Sequence, residues 1–110
     1  MLEATGLTAI EEAIYRLLVS SVTAPADEIA AQTGLPIGQV EDSLAALDAK
    51  GLVRSTDRVP RQFAATSPDL ALLPRLQREA DALDRARIAV TDLLESYRDT
   101  VRQRDAGQLI

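Results

Sequence analysis

The side chains in this sequence that could do acid–base or nucleophilic chemistry are almost all carboxylates. None of the 110 residues is His or Cys, which removes imidazole acid–base catalysis, a thiolate nucleophile and the common triads. Paired acids occur at Glu11-Glu12, Asp27-Glu28 and Glu41-Asp42. Neighbours on a helix project about 100° apart, so no such pair addresses one substrate atom together, and solvated helix surface is the simpler meaning of each. The usual Cys and His zinc sets cannot be assembled, and no Gly-rich loop is present to cradle a phosphate. These residues predict a protein that is not an enzyme and that holds no metal or cofactor.

A different chemistry is open to the basic and hydrogen-bonding residues from Gln39 to Arg61. Lys50, Arg54, Arg58 and Arg61 have the charge to neutralise phosphates, and Gln39 and Ser43 have the groups to hydrogen-bond base edges. The surrounding charge works against them. Residues 1–66 carry five basic groups against nine acidic ones, a net of −4, where a polyanion-binding surface is ordinarily basic. Glu41 and Asp42 would be repelled by phosphates on either side of a groove.

Those residues need elements to position them. The pattern predicts a first helix from about Ala9 to Ser20, capped by Thr8 with Glu11 closing a capping box. Ile10, Ile14, Leu17 and Leu18 would be its buried stripe, with Glu11, Glu12 and Arg16 in water. Val22-Thr23-Ala24 is a short extended piece. A second helix over Pro25–Thr33 presents Ile29 and Ala30 for packing and stops at Gly34, which can take positive φ. Leu35 plugs the angle and Pro36 pre-sets the first turn of a third helix. There Ile37, Val40, Leu44, Ala45 and Leu47 would face inward, and Gln39, Asp42, Ser43 and Ala46 outward. Gly51 ends that helix. Leu52–Ser55 and Arg61–Thr66 alternate as strands around the polar loop Thr56–Pro60, with Phe63 as an aromatic plug. Three helices followed by a β-hairpin are a winged helix-turn-helix, in which the outward face of the third helix is the reading face.

Gly6-Leu7-Thr8 through Ile14-Tyr15, Glu28-Ile29-Ala30, Gly34-Leu35-Pro36, Leu44-Ala45-Ala46-Leu47, Lys50-Gly51-Leu52-Val53 and Arg61-Gln62-Phe63 occur in that order. With this set the sequence resembles the TrmB-type winged helix domain over roughly residues 6–100. Its Ala- and Arg-rich character, with Asp105-Ala106-Gly107-Gln108-Leu109-Ile110 at the end, is similar to the N-terminal part of large actinobacterial LuxR-type regulators. That resemblance implies a central regulatory domain and a separate LuxR-type DNA-binding domain further on. Family members that bind DNA through the third helix tend to carry basic or hydroxyl groups in its first turn, where this chain has Ile37, Gly38 and Gln39.

Beyond the hairpin, a short turn over Asp69–Leu73 is expected before a helix of about thirty residues from Pro74 to Arg104, roughly 45 Å long. Leu73, Ala80, Arg87, Leu94 and Val101 fall on one heptad position and Leu76, Leu83, Val90 and Tyr97 on the other. Such a seam predicts a two-fold homodimer through this helix. Arg87, the charged exception, can snorkel or pair with Asp84 or Asp81.

The expected organisation is thus mainly α: a winged helix-turn-helix over residues 1–66, a long coiled-coil-type dimerisation helix over 67–104, and over 105–110 the start of a linker or strand of a further domain. Hydrophobic content of 46% with only three aromatics fits a core of aliphatic helices. No signal peptide and no membrane span is present in the pattern, which predicts a cytoplasmic protein. Two functions follow. The chain is a dimeric DNA-binding module of a bacterial transcriptional regulator, or it is a degenerate winged helix that dimerises and contacts other proteins while another domain binds DNA.

Overall fold

The hydrophobic pattern folds as a helical core with a small hairpin on one side. A computed structural model describes residues 1–108. A 3₁₀ turn at Glu3–Thr5 leads into α1 (Ala9–Val19), α2 (Ala26–Thr33), α3 (Ile37–Ala49), β1 (Val53–Ser55), β2 (Phe63–Ala65) and α4 (Pro68–Gln108). Two compact units divide this chain, Met1–Gln77 and the remainder from Arg78.

In the first unit, α1 begins with the capping box that Thr8 and Glu11 foretell: the Glu11 amide donates to Thr8 Oγ1 at 3.1 Å and the Thr8 amide to Glu11 Oε1 at 3.2 Å. Gly34 ends α2 at φ 73°, a left-handed conformation that costs an L side chain energy. Ile14, Tyr15 and Leu18 of α1 meet Ile29 of α2, Val40, Leu44 and Leu47 of α3, and Leu52 and Val53 in one buried cluster. The strands pair antiparallel with Ser55 opposite Phe63 and Val53 opposite Ala65. The extended piece before α2 joins them, since Ala24 and Phe63 exchange amide hydrogen bonds of 3.0 and 2.9 Å. Phe63 and Leu35 pack half-buried against the core, the plugging roles their positions predict.

Three expectations are corrected. Ile37 is 46% exposed, and Ala45 is exposed while Ala46 is half-buried. A stripe running from Ile37 to Ala45 spans more of the helix circumference than the core covers. Val40, Leu44 and Leu47 fill the core, and Ile37 and Ala45 fall on one flank. Glu11 is not in water but 4% exposed, because it has a cationic partner described below. Finally, α4 starts at Pro68 and runs through Pro74, where a turn and then a helix start are the local expectation. Leu72 is in the core cluster, and the Arg75 guanidinium donates to the Thr5 and Lys50 carbonyls at 3.3 and 3.1 Å. The helix is held on both sides of Pro74, which offsets the one backbone hydrogen bond that the proline removes.

The second unit is helical from Arg78 to Gln108, past the Arg104 at which the sequence places its end. Every residue from Arg78 to Thr100 is exposed, among them Leu83, Val90, Leu94 and Tyr97 of the heptad seam; of the rest of that seam, Leu73 and Leu76 are also exposed and Val101 is half-buried. Arg87 lies 3.6 Å from Asp84, one of its two expected partners. The strand start expected at Leu109-Ile110 lies outside the described residues. Among the described residues no helix is long and apolar enough to cross a membrane.

Candidate nucleic-acid interface

The tight turn at Gly34–Pro36 sets α3 against α2 and leaves the first turn of α3 open. That turn carries no acidic residue and no side-chain cap, so the Ile37, Gly38 and Gln39 amides are the unpaired leading donors of a helix N-terminus. Gln39 is exposed there, and Ser43 one turn on is half-buried. By the helical period these two lie on the flank of α3 away from Ile37, Glu41 and Ala45.

The hairpin supplies the cations. Arg54 alternates outward from β1 between buried Val53 and half-buried Ser55, and Arg58 and Arg61 are exposed on the connecting loop. None of these three guanidinium groups makes a hydrogen bond or ion pair among the described residues. Lys50 is different. Its ammonium donates to Glu11 Oε2 at 2.7 Å and to the Gly6 carbonyl at 3.0 Å, so the fourth expected phosphate contact is committed inside the domain.

The Glu11 carboxylate is therefore shared, with Oε1 capping α1 and Oε2 taking Lys50 from the end of α3. Burial opposes its ionisation, but the hydrogen bonds from Lys50 and the Thr8 amide outweigh that and hold its pKa below the ordinary value. Sequence reasoning found the capping box and missed the ion pair. It also missed Arg75, whose donors fasten the start of α4 to the end of α3. Only a partner distant in sequence reveals either, and no local pattern encodes it.

Between α3, the N-terminus of α2 and the hairpin lies a groove of about 550 Å³. Ile37, Leu44, Ala45, Phe63 and Pro60 give it apolar walls, and Asp27, Glu41, Asp48 and Arg61 line it with charge. Arg61 is thus brought next to the acidic flank of α3, whereas Gln39 and Ser43 are on the other flank. The expected site residues do not converge: Lys50 is engaged with Glu11, and Arg61 lines the groove on the flank of α3 opposite Gln39 and Ser43. No group of three or more acidic, His or Cys residues among the described ones could hold a metal ion.

The architecture has known counterparts. TrmBL2, an archaeal chromatin protein whose structure is described as showing a novel mode of DNA binding, superposes with a TM-score of 0.62 at 23% identity, over 82% of this chain and 37% of its own. This chain therefore spans little more than a third of that protein. The ST1889 protein of the thermoacidophilic archaeon Sulfolobus tokodaii gives 0.67 at 24% identity, over 76% and 86%. A MarR-family transcriptional regulator from Rhodococcus sp. RHA1 gives 0.54 at 22%, over 91% and 78%. At these identities the likeness establishes the winged-helix fold. No curated protein matches the sequence. The family model described as the sugar-specific transcriptional regulator TrmB matches residues 2–69, more than half of the chain and all of α1, α2, α3 and the hairpin; the chain belongs to the TrmB family.

Proposed function

We propose that this chain is a dimeric winged-helix module of a transcriptional regulator that contacts duplex DNA directly. The observation that carries this reading is the hairpin: in a domain with nine carboxylates, Arg54, Arg58 and Arg61 pair with none of them among the described residues. Exposed, unpaired guanidinium groups beside a helix whose N-terminal amides are free are suited to phosphate oxygens. Arg54, Arg58 and Arg61 hold the backbone, and Gln39, with Ser43 behind it, meets base edges. The dimer forms through the apolar seam of α4, which places two reading helices on one duplex. The resemblance to LuxR-type regulators supports a place for this module at the front of a larger protein. Titration of a labelled duplex of arbitrary sequence at low salt, followed by fluorescence anisotropy, tests the reading; no binding at about tens of micromolar protein overturns it.

The acidic flank of α3 favours a second reading. Glu41 and Asp48 line the groove on the side facing the hairpin, where phosphates would be repelled. In that case the winged helix is an assembly domain, and the full-length regulator keeps operator binding when Gln39 and Arg61 are both replaced by Ala.

A further inference from the structure

The groove between α3 and the hairpin has a composition that duplex binding does not use. Ile37, the first residue of α3, is a large aliphatic side chain left 46% exposed, and it shares the apolar wall with Leu44 and the half-buried ring of Phe63. Around that wall stand three carboxylates from two helices, Asp27, Glu41 and Asp48, against the single cation Arg61. No ion pair among the described residues neutralises any of the three. At about 550 Å³ the groove has the size of a small-molecule pocket.

We propose that this groove binds an organic cation with an apolar, preferably aromatic, body, and that its occupant competes with DNA. The apolar body covers Ile37, Ala45 and the Phe63 ring, and the cationic end lies among the carboxylates, where it is attracted both by their charge and by the ring face. Neutral or anionic molecules of the same shape gain the apolar contact alone, and an anion is drawn only to Arg61. Competition follows from position. The occupant fills the space between the reading helix and Arg61, so its bulk blocks a duplex from reaching both at once, and this steric exclusion outweighs the repulsion relieved at the carboxylates. The ligand-binding part stands without the DNA reading; the competition rests on it.

The test uses 2-naphthylmethylammonium as probe, with 2-naphthylmethanol and 2-naphthoate as its neutral and anionic counterparts, titrated into the protein by calorimetry and by amide chemical shifts. The cation is expected to bind saturably with a dissociation constant below about 1 mM, to shift the Ala26, Ala45 and Ser55 amides, and to bind at least tenfold more tightly than the alcohol. Glu41→Gln with Asp48→Asn, both exposed and outside the core, should abolish that preference while leaving the thermal transition in place. Equal binding of cation and alcohol, tighter binding of the naphthoate, or no saturable binding overturns the assignment. In a separate titration, saturating probe should weaken duplex affinity in the intact protein and not in the double variant. Saturable probe binding with unchanged duplex affinity overturns the competition, whereas duplex that fails to bind even without probe defeats the DNA reading and leaves the ligand assignment to the calorimetry.

Discussion

A single carboxylate, Glu11, closes the helix cap and neutralises Lys50, with only 4% of its surface in contact with water. A buried charge deprived of its partner is strongly destabilising. Lys50→Met should therefore lower the stability of the winged domain by about 3 kcal/mol, measured by urea denaturation, and the loss should be much smaller when Glu11→Gln is already present. Additive effects of the two substitutions would show that the pair is not coupled. The same residue sets an acid limit. Its pKa is depressed in the folded protein, so its contribution is complete above the unfolded carboxylate pKa and is lost as pH falls through the folded value. Stability should drop through the acidic carboxylate range, and the drop should be shallower in Glu11→Gln. Tyr15 offers a neutral comparison: its hydroxyl donates to the Thr66 carbonyl at 2.8 Å, and Tyr15→Phe should cost about 1–2 kcal/mol without changing the acid limb.

At the scale of elements, the helix and hairpin order was legible because it rests on local rules: Thr8 with Glu11, Gly34 with its left-handed φ, and the alternation that puts Val53 inside and Arg54 outside. What was not legible came from contacts distant in sequence. Periodicity places Glu11 on a wet face because it cannot register a lysine 39 residues away. It counts Ile37 as core because a three- and four-residue stripe has no stated edge. Pro74 reads as a helix start by the local rule, yet burial of Leu72 and the Arg75 hydrogen bonds carry α4 through it. Pro74→Ala restores an amide donor within the helix and should raise stability by about 1 kcal/mol or more, seen as a higher melting temperature. An unchanged or lower melting temperature would mean that the proline fits its turn without strain. The candidate site was half legible: residue types pointed to phosphate contacts, but only the structure separates engaged Lys50 from free Arg54, Arg58 and Arg61. If the hairpin meets DNA, Arg58→Ala should reduce the slope of log affinity against log salt by about 1, and Lys50→Ala should leave that slope unchanged. Equal slope changes in the two variants would contradict the commitment of Lys50 to Glu11.

The whole molecule divides into a unit with a closed core and a helical unit without one, and this division decides how assembly can be tested. Between Arg78 and Thr100 every side chain is exposed, Leu83, Val90, Leu94 and Tyr97 included, so substitutions there remove nothing from the core cluster of the first unit. An aliphatic seam repeating every seven residues lowers its free energy by covering itself with a second copy, and charges placed on the seam penalise that copy alone. Leu83→Asp combined with Val90→Asp should therefore convert a dimer of the 11.9 kDa chain into a monomer in light scattering, while thermal unfolding of the winged domain keeps its midpoint at high protein concentration. The consequence for DNA is specific. If the proposed dimer binds DNA, its two reading helices must meet successive major grooves about 34 Å apart, so loss of the dimer would remove one of two simultaneous contacts. Affinity for a duplex long enough for both should fall by at least tenfold, whereas affinity for a duplex that accommodates one reading helix should be unchanged. A double variant that scatters as a dimer would place the interface elsewhere, and equal losses on both duplexes would show that the seam acts on folding rather than on pairing.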